Sequence, residues 1–407
     1  MANFQLLKDL VQPAQTKIVM LVMDGVGGLP RASDDQTELE AARTPNLDRL
    51  AAEGCLGQHY PVDIGITGGS GPGHLGLFGY DPLQYEIGRG VLEAVGIGFP
   101  VTGLDVCARG NFCTLDAGGL ITDRRAGRIP TEKCAELVKK INAAGINTPE
   151  PGVEFFVEPV QDYRFVVVMR GEGLGGNLSE TDPQRTGAAP LPVTAQDAAS
   201  ERAARLFNDW ITRATAVIRD EKPANGMTLR GFAKYPSLPT CQEVYGLRAA
   251  AIAVYPMYRG LASLVGMHRI EHHAHTVEEE FEVAARIWDE YDFFFIHVKY
   301  TDSRGEDGNF DAKMKVIEEV DAALPKLTAL KPDVLIVTGD HCTPSQLKAH
   351  SWHPVPLLLW APATARRDRS LVFGEREAST GGLGTFRASD IMTLALAHAG
   401  RLAKFGA

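Results

Sequence analysis

A serine set among four glycines, in the stretch Ile66–His74, has a composition that suits phosphate chemistry. Glycines let the backbone adopt positive φ angles and let a charged ligand approach closely. A serine at the start of a helix places its hydroxyl near the positive end of the helix dipole, where phosphate groups are favoured. That hydroxyl becomes a good nucleophile only when a base or a metal ion lowers its pKa. The same stretch also fits an ordinary Gly-rich turn with Ser70 as a helix cap, so the choice depends on the rest of the chain.

Three apolar runs, each typical of a strand buried on both faces, end in residues that bind cations. In open α/β sheets ligands bind at the carboxyl ends of the strands. Carboxylates that meet there repel one another unless a cation lies between them. The three runs are Lys17–Met23 before Asp24, Phe293–Val298 before Asp302, and Asp333–Thr338 before Asp340 and His341.

Two further side chains extend these strand-end clusters: Glu306 follows Asp302 by four residues, and His350 lies nine beyond His341. Asp, Glu and His together suit Mn²⁺ or Zn²⁺, and two such ions can hold a serine alkoxide and a phosphoryl group between them. Each residue alone also fits a turn after a strand, but the three clusters together predict a metal centre. A second histidine-rich segment, His268–His275, is better interpreted as solvated surface, because no buried strand precedes it.

The order of elements predicts an α/β fold, in which a doubly wound, mainly parallel sheet is interrupted by an inserted α+β domain. The core is expected in residues 1–105 and 240–407, and the insert in residues 106–239. The insert is rich in arginine. Its predicted elements are strands at Cys107–Thr114, Phe155–Val157 and Arg164–Met169 and helices at Thr131–Asn142 and about Gln196–Arg219.

Composition narrows the function classes. A formal net charge of −10 over 407 residues argues against non-specific nucleic-acid binding. No apolar run approaches the ~20 residues of a membrane span. The six cysteines show no CxxC spacing, and Met1–Lys17 lacks the apolar segment of a secretory signal. We therefore expect a cytoplasmic enzyme with reduced thiols and a small-molecule substrate; the sequence leaves assembly into a homo-oligomer open.

A set of motifs that spans nearly the whole chain carries a family resemblance. They are Val22–Gly25, Thr44–Asp48, Gly69–His74, Gly79–Pro82, Asn111–Phe112, Thr122–Arg128, Thr181–Pro183, Thr338–His341 and His350–Pro356. In this order they resemble the cofactor-independent phosphoglycerate mutases of the archaeal-type branch, within the alkaline phosphatase superfamily. The resemblance implies the fold described above.

The resemblance also implies a reaction and its residues. It implies interconversion of 2-phosphoglycerate and 3-phosphoglycerate through a phosphoserine, without 2,3-bisphosphoglycerate, with Ser70 as the nucleophile. It implies two bound divalent metal ions, with Mn²⁺ as the expected metal and Zn²⁺, Co²⁺ or Mg²⁺ as alternatives. The implied ligands are Asp24, Ser70, Asp340 and His341 at one ion and Asp302, Glu306 and His350 at the other.

The sequence departs from the family pattern at Glu306, where relatives usually carry a histidine; a glutamate shifts preference toward harder ions. His353 also stands where Asp or Asn is common, and is expected to assist the site. Arginine forks bind carboxylate and phosphate groups bidentately. The residues that the resemblance implies for the substrate are Asp123, Arg124, Arg128, Arg170, Asp182 and Arg185 in the insert and Arg259 in the core. His74, also a candidate for the substrate, follows the serine in the family motif, and the resemblance leaves its role open between loop support and substrate contact.

Two other functions compete with the mutase. The same serine and metal core serves a phosphatase or phosphotransferase on another small phosphorylated metabolite, and the arginines of the insert favour the mutase over it. A catalytically inactive relative that acts as a binding protein is the alternative from another class. The intact Ser70, Asp24, Asp340 and His341 argue against that alternative.

Overall fold

The computed structural model describes residues 4–85, 87–236 and 238–406, so residues 1–3 of the segment compared with a secretory signal lie outside it. Its strands are β1 (Ile18–Met23), β2 (Cys55–Tyr60), β3 (Asp105–Leu115), β4 (Ile121–Asp123), β5 (Val153–Gln161), β6 (Arg164–Gly171), β7 (Gly226–Lys234), β8 (Ala249–Ala253), β9 (His268–Arg269), β10 (Phe293–Val298), β11 (Val334–Thr338), β12 (Val355–Trp360) and β13 (Gly384–Arg387). Its helices are α1 (Phe4–Leu10), α2 (Glu38–Ala41), α3 (Pro45–Glu53), α4 (Ser70–Leu77), α5 (Arg89–Gly96), α6 (Thr131–Ala143), α7 (Glu201–Val217), α8 (Cys241–Tyr245), α9 (Pro256–Leu264), α10 (Val277–Arg286), α11 (Tyr300–Glu306), α12 (Phe310–Thr328), α13 (Glu375–Thr380) and α14 (Ile391–His398).

The chain divides into two compact units, Met1–Glu86 with Leu238–Ala407, and Ile87–Ser237. The first boundary therefore lies before residue 87, and the expected start of the insert at residue 106 is wrong. The reason is α5, which packs on β3 and β7 of the insert. The backbone of α5 lies so close to β3 that a Cβ on Gly90 would come within 2.6 Å of Ala108 Cα.

The core unit contains a sheet with the strand order β13-β2-β12-β11-β1-β10-β8-β9 within the described residues. β11, β1, β10 and β8 run parallel, whereas β12 pairs antiparallel with both β11 and β2. This mainly parallel sheet confirms the predicted fold class. Every residue of β1 is buried, because β1 is central and both faces are covered.

Helices cover the two faces of this sheet, as a doubly wound arrangement requires. The side chains of Val19, Leu21 and Met23 in β1 join the core cluster built with α3, α10 and α12. On the other face Phe295 of β10 packs edge-on against Phe78, the residue that ends α4. α4 and α9 therefore lie on one face, and α3, α10 and α12 on the other.

The insert forms a separate sheet with the order β4-β3-β6-β5, in which β7 pairs with β3. These pairings are antiparallel. α6 and α7 cover the sheet with a core that includes Phe155, Phe207 and Trp210, and the Phe155 and Trp210 rings stack at 5.3 Å.

Candidate active site

The three predicted strand ends meet at one edge of the core sheet. β1 lies between β10 and β11, with Val22 level with His297 on one side and Thr338 on the other. The Asp24 amide continues this register by donating to Val298 O at 2.9 Å. Because parallel strands end at the same edge, the carboxylates that follow them are neighbours.

Ser70 lies at this edge because it is the first residue of α4. Gly69 is the N-cap of that helix. The helix can approach because Gly73 has no side chain: a Cβ there would lie 2.3 Å from the backbone oxygen of Asp340. Gly25 meets a similar demand with φ +61, since its Cβ would lie 2.4 Å from Thr343 Oγ1. The glycines of these motifs therefore allow the serine helix and the two strand-end loops to pack closely.

A first cluster consists of Asp24, Asp340 and His341, whose ligand atoms lie within 4.8 Å of one another. His341 Nε2 lies 3.4 Å from Asp24 Oδ1 and 3.2 Å from Asp340 Oδ2. Ser70 Oγ lies 3.2 Å from the same ring nitrogen. The nucleophile predicted from the sequence thus adjoins the first cluster.

A second cluster consists of Asp302, His341 and His350. His350 Nε2 lies 3.5 Å from Asp302 Oδ1, and the His350 and His341 rings stack at 3.7 Å. His341 is therefore common to both clusters. Glu306 stays outside them, since its side chain on the last turn of α11 is 56% exposed and its Oε1 lies 3.9 Å from His350 Nε2.

Hydrogen bonds fix which nitrogen of each histidine faces the clusters. Thr343 Oγ1 donates its single proton to Asp302 Oδ1 at 2.7 Å, so toward His341 Nδ1, 3.0 Å away, it accepts. His350 Nδ1 donates to Gly68 O at 3.1 Å. Both rings therefore carry a proton on Nδ1 and turn Nε2 toward the clusters, the nitrogen that a metal ion would take.

Asp24 is held by donors on its other oxygen. Tyr258 Oη donates to Asp24 Oδ2 at 2.5 Å, and Lys299 Nζ donates to the same oxygen at 3.0 Å. Burial by itself would raise the pKa of Asp24, but the adjoining His297 ring and the Lys299 charge outweigh burial and hold that pKa well below its usual range. Burial raises the pKa of Tyr258 far above 10, with Asp24 adding to the effect, so Tyr258 stays a donor.

Lys299 also binds Asp302, whose Oδ2 lies 2.5 Å from its ammonium. Burial would raise the pKa of Asp302, but the His350 and Lys299 contacts lower it to about 2. Burial would lower the pKa of Lys299, and the two carboxylates outweigh that effect and raise it. Lys299 is therefore a fixed positive charge between carboxylates of both clusters.

The first cluster fits a divalent cation. Asp24 Oδ1 and Asp340 Oδ2 are buried and receive no hydrogen bond from any described residue. A buried carboxylate oxygen without a partner costs free energy, which a cation facing it removes. Aspartate and histidine donors suit Mn²⁺ and Zn²⁺.

A buried lysine ties two of the strand-end loops together. Lys313 of α12 is fully buried, and its Nζ donates to Gly25 O at 2.9 Å, Gly27 O at 3.0 Å and Thr343 O at 2.8 Å. Burial lowers the pKa of this ammonium. One side chain thus fixes the loop after β1 against the loop after β11.

In the insert, Arg124 forms a bidentate pair with Asp182, with Nε–Oδ1 at 3.1 Å and Nη2–Oδ2 at 2.7 Å. Asp123 serves the turn itself, because its carboxylate accepts from the Arg125 and Gly127 amides at 2.8 and 2.6 Å. A direct substrate contact by Asp123 therefore has no support in this arrangement, since its oxygens already bind the backbone.

Comparisons with known proteins identify the family of this chain. A 54% identical relative from Thermotoga neapolitana, named probable 2,3-bisphosphoglycerate-independent phosphoglycerate mutase, aligns over 98% of both chains. A relative of the same name from Thermus thermophilus is 53% identical over 99% of both chains. The sequence profile of the 2,3-bisphosphoglycerate-independent phosphoglycerate mutases matches residues 51–225. The chain belongs to this phosphoglycerate mutase family.

Two solved structures have folds similar to that of this chain. A protein from Pyrococcus horikoshii has a TM-score of 0.82 and 28% identity, covering 97% of this chain and 100% of its own. The cofactor-independent phosphoglycerate mutase of Thermoplasma acidophilum has a TM-score of 0.73 and 27% identity, covering 94% and 100%. Among the described residues, no helix combines the length and hydrophobicity that a membrane span requires.

Two residues assigned to the substrate from the family resemblance have other contacts in the core. His74 is fully buried behind Ser70, where Nδ1 lies 2.8 Å from Ser70 O and 3.1 Å from Asp340 Oδ2. These contacts correspond to support of the serine helix, one of the two roles that the sequence left open for His74. Arg259 turns its guanidinium to Glu271, with Nη2–Oε2 at 2.6 Å.

His353 also differs from its expected supporting role at the metal site. It lines a separate cavity of about 250 Å³ with Gly28, Gln58 and Glu375. Its Nδ1 lies 3.0 Å from Ser351 Oγ. The His353 side chain therefore contacts its own loop, which follows His350.

Arg170 lies far from Arg124. It pairs through its Nε and Nη2 with the buried Asp105, at 2.6 and 2.7 Å. Asp105 begins β3, whereas Asp123 pairs with Thr114 at the other end of the strand. An extended strand of this length puts the two ends about 30 Å apart. Arg170 therefore braces the sheet away from Arg124, and Arg128 and Arg185 are exposed.

Sequence reasoning overlooked four site residues: Tyr258, Lys299, Lys313 and Thr343. Lys299 and Thr343 stand just after strand ends, where polar side chains could have been examined as closely as the acidic ones. Lys313 lies on the buried stripe of α12, three residues before Val316, and a lysine in an apolar stripe is itself a signal. For Tyr258, next to Arg259 on α9, no local pattern marks the role.

Proposed function

We propose that the chain interconverts 2-phosphoglycerate and 3-phosphoglycerate without 2,3-bisphosphoglycerate, with Ser70 carrying the phosphoryl group between the two hydroxyls. The observation that carries this proposal is the position of Ser70 Oγ, 3.2 Å from Nε2 of His341, the residue that both clusters share. Ser70 also begins α4, where the helix dipole favours a phosphate group.

The reaction consists of two phosphoryl transfers. In the first, a bond forms from Ser70 Oγ to phosphorus while the bond from phosphorus to the substrate oxygen breaks. The proton lost by Ser70 is balanced by the proton that the substrate oxygen takes up. In the second, a bond forms from the other glycerate hydroxyl oxygen to phosphorus while the bond from phosphorus to Ser70 Oγ breaks. The proton that this hydroxyl loses is balanced by the proton that Ser70 recovers. Tyr258 Oη, 3.4 Å from Ser70 Oγ, and the His74 contact to Ser70 O hold the serine in place.

The family is metal-dependent, and we assign two divalent ions to the two clusters, Mn²⁺ first and Zn²⁺, Co²⁺ or Mg²⁺ as alternatives. Bound there, such ions lower the pKa of a serine hydroxyl and neutralise phosphoryl charge. Asp24, Asp340 and His341 would hold one ion with Ser70, and Asp302 and His350 the other. Glu306 would join the second ion only after its exposed side chain turns inward.

We assign to the insert the binding of the substrate's anionic groups, with Arg124 as the principal residue. Its fork suits a carboxylate or a phosphate, and Asp182 holds that fork in place. Arg128 and Arg185 are exposed and available to an anion. A cytoplasmic location suits the six cysteines, which are all free thiols.

The test follows 3-phosphoglycerate with Mn²⁺ present and 2,3-bisphosphoglycerate absent, and measures 2-phosphoglycerate and free phosphate together. We expect 2-phosphoglycerate, lost on chelation and restored by metal. Quenched samples should carry a phosphate on the peptide that contains Ser70, detected by mass spectrometry. Free phosphate as the sole product would instead identify a phosphatase.

Ser70→Ala should abolish turnover and phosphorylation while leaving the unfolding temperature and metal content close to wild type. The matched control is Ser379→Ala, the same substitution at a serine that bonds Arg376 O on the surface, and it should retain full activity. A Ser70→Ala protein with appreciable mutase activity would remove Ser70 from the mechanism.

A further inference from the structure

We propose that Lys299 is a built-in counter-cation of the site, which offsets the charge of Asp24 and Asp302 so that more positive charge remains for an incoming phosphate group. This inference rests on the function proposed above. It concerns a residue that none of the family motifs contains.

The first support is the choice of carboxylate oxygens. Lys299 Nζ binds Oδ2 of Asp24 at 3.0 Å and Oδ2 of Asp302 at 2.5 Å. The Oδ1 atoms point to the clusters instead, 3.4 Å from His341 Nε2 and 3.5 Å from His350 Nε2. One ammonium therefore takes the outer oxygen of a ligand from each cluster and does not contact the inner oxygens, of which Asp302 Oδ1 accepts from Thr343 Oγ1 at 2.7 Å.

The second support is the balance of charge. The two clusters contain three carboxylates, from Asp24, Asp302 and Asp340, in a buried environment where charges interact strongly. A site with too much negative charge binds metal tightly but repels a phosphate dianion. Lys299 removes part of that negative charge without occupying a metal-facing oxygen.

The third support is the placement of the side chain. Lys299 follows β10 directly and is the N-cap residue of α11, so both ends of its backbone are fixed by regular structure. Its side chain is 23% exposed, whereas that of Asp24 is fully buried. The ammonium therefore lies between the buried carboxylates and the solvent from which an anion arrives.

The proposal makes two predictions of opposite sign for Lys299→Met, which keeps most of the length of the side chain and removes its charge. Mn²⁺ should bind about tenfold more tightly, or better, because the cationic neighbour is gone. Inorganic phosphate should bind the Mn²⁺-loaded variant about tenfold more weakly, or worse, for the same reason. Both affinities are measured by titration calorimetry, so neither depends on turnover.

Lys299→Arg keeps the charge and should leave both affinities within about threefold of wild type. The matched control is Lys326→Met: Lys326 also bridges two carboxylates, Glu278 and Glu282, but on the exposed surface of α12. It should change neither affinity. If Lys299→Met does not fold, Lys299→Gln is measured instead.

Only tighter metal binding together with weaker phosphate binding supports the proposal. A loss of both affinities would show that Lys299 merely orients the carboxylates, and any other combination also overturns the proposal. The failure of the mutase assignment would be seen separately, as wild-type protein that makes no 2-phosphoglycerate while the two titrations still shift as expected.

Discussion

Lys313→Met tests whether the metal-binding loops depend on a buried ammonium. Lys313 Nζ donates to three carbonyl oxygens, at Gly25, Gly27 and Thr343. The Thr343 amide also donates to Gly25 O and Gly27 O, at 3.2 and 3.1 Å, so these two carbonyls keep a shared donor in the variant. Thr343 O loses its lysine donor. Methionine fills the same space without donating.

The expected loss of stability follows from these contacts. A buried carbonyl without a donor costs about 1–3 kcal/mol, and weakening two more bonds adds about 1–2 kcal/mol. The wild type must remove the Lys313 ammonium from water when it folds, and the variant has no such charge. The desolvation free energy saved offsets part of that sum. We expect a net loss of about 2–4 kcal/mol in the free energy of unfolding.

The assay is urea unfolding at pH 7, with and without saturating Mn²⁺, which gives the midpoint and the m-value. Metal should stabilise the variant less than the wild type, because the loops that carry Asp24 and His341 are no longer fixed and the dissociation constant rises. Lys326→Met on the same helix is the control and should leave stability close to that of the wild type, since its ion pairs are exposed. Unchanged or increased stability in Lys313→Met, with an unchanged response to metal, would refute the reasoning.

Three further predictions concern other residues. Tyr258→Phe removes the donor at 2.5 Å from Asp24 Oδ2 and should lower kcat about 10–100-fold with little change in KM; steady-state kinetics that show an unchanged kcat would contradict it. Glu280 is buried, and burial raises its pKa from 4.5 to about 8. The wild type therefore loses stability as pH rises through that range, because the carboxyl group ionises more readily in the unfolded chain. In urea unfolding, Glu280→Gln should match wild type near pH 4.5 and be more stable, by at most about 5 kcal/mol, above pH 8. A difference that does not vary with pH would argue against it. Arg124→Met should reduce kcat/KM about 100-fold or more. Arg170→Met should instead lower the unfolding temperature and leave kcat/KM within about threefold. Equal kinetic losses in the two variants would contradict the separation of these arginines along β3.

The sequence by itself determined the fold class and most of the strand-end residues. Continuous apolar runs such as Phe293–Val298 are local signals, because a strand buried on both faces must be apolar throughout. The rule that parallel strands present their carboxyl ends at one edge then predicts that Asp24, Asp302 and Asp340 are neighbours. The Gly-rich stretch marked Ser70 as a candidate nucleophile, and the family resemblance favoured that role over a helix cap.

Some elements had no local signal that separated them from their surroundings. β2, at Cys55–Tyr60, lies in a Gly-rich passage and was not predicted, and it pairs antiparallel with β12 near one edge of the sheet. The start of the insert was misplaced because the helical pattern of α5 does not show which sheet will cover it. That choice is made by the contact of Gly90 with β3, between residues eighteen apart.

The tertiary structure alone decided which polar side chains face the site. His74 lies in a family motif, and Glu306 stands where relatives usually carry a histidine. Glu306 is nevertheless exposed at the rim of the site, and His74 is buried behind Ser70. Lys299 and Lys313 have no motif, yet one bridges two carboxylates and the other fixes two loops. The physical reason is that the segments that bury these side chains and bond to them can be hundreds of residues away in the chain, as Gly25 is from Lys313. A residue's type sets which interactions it can make, and the packing of distant strands and helices sets which of them it does make.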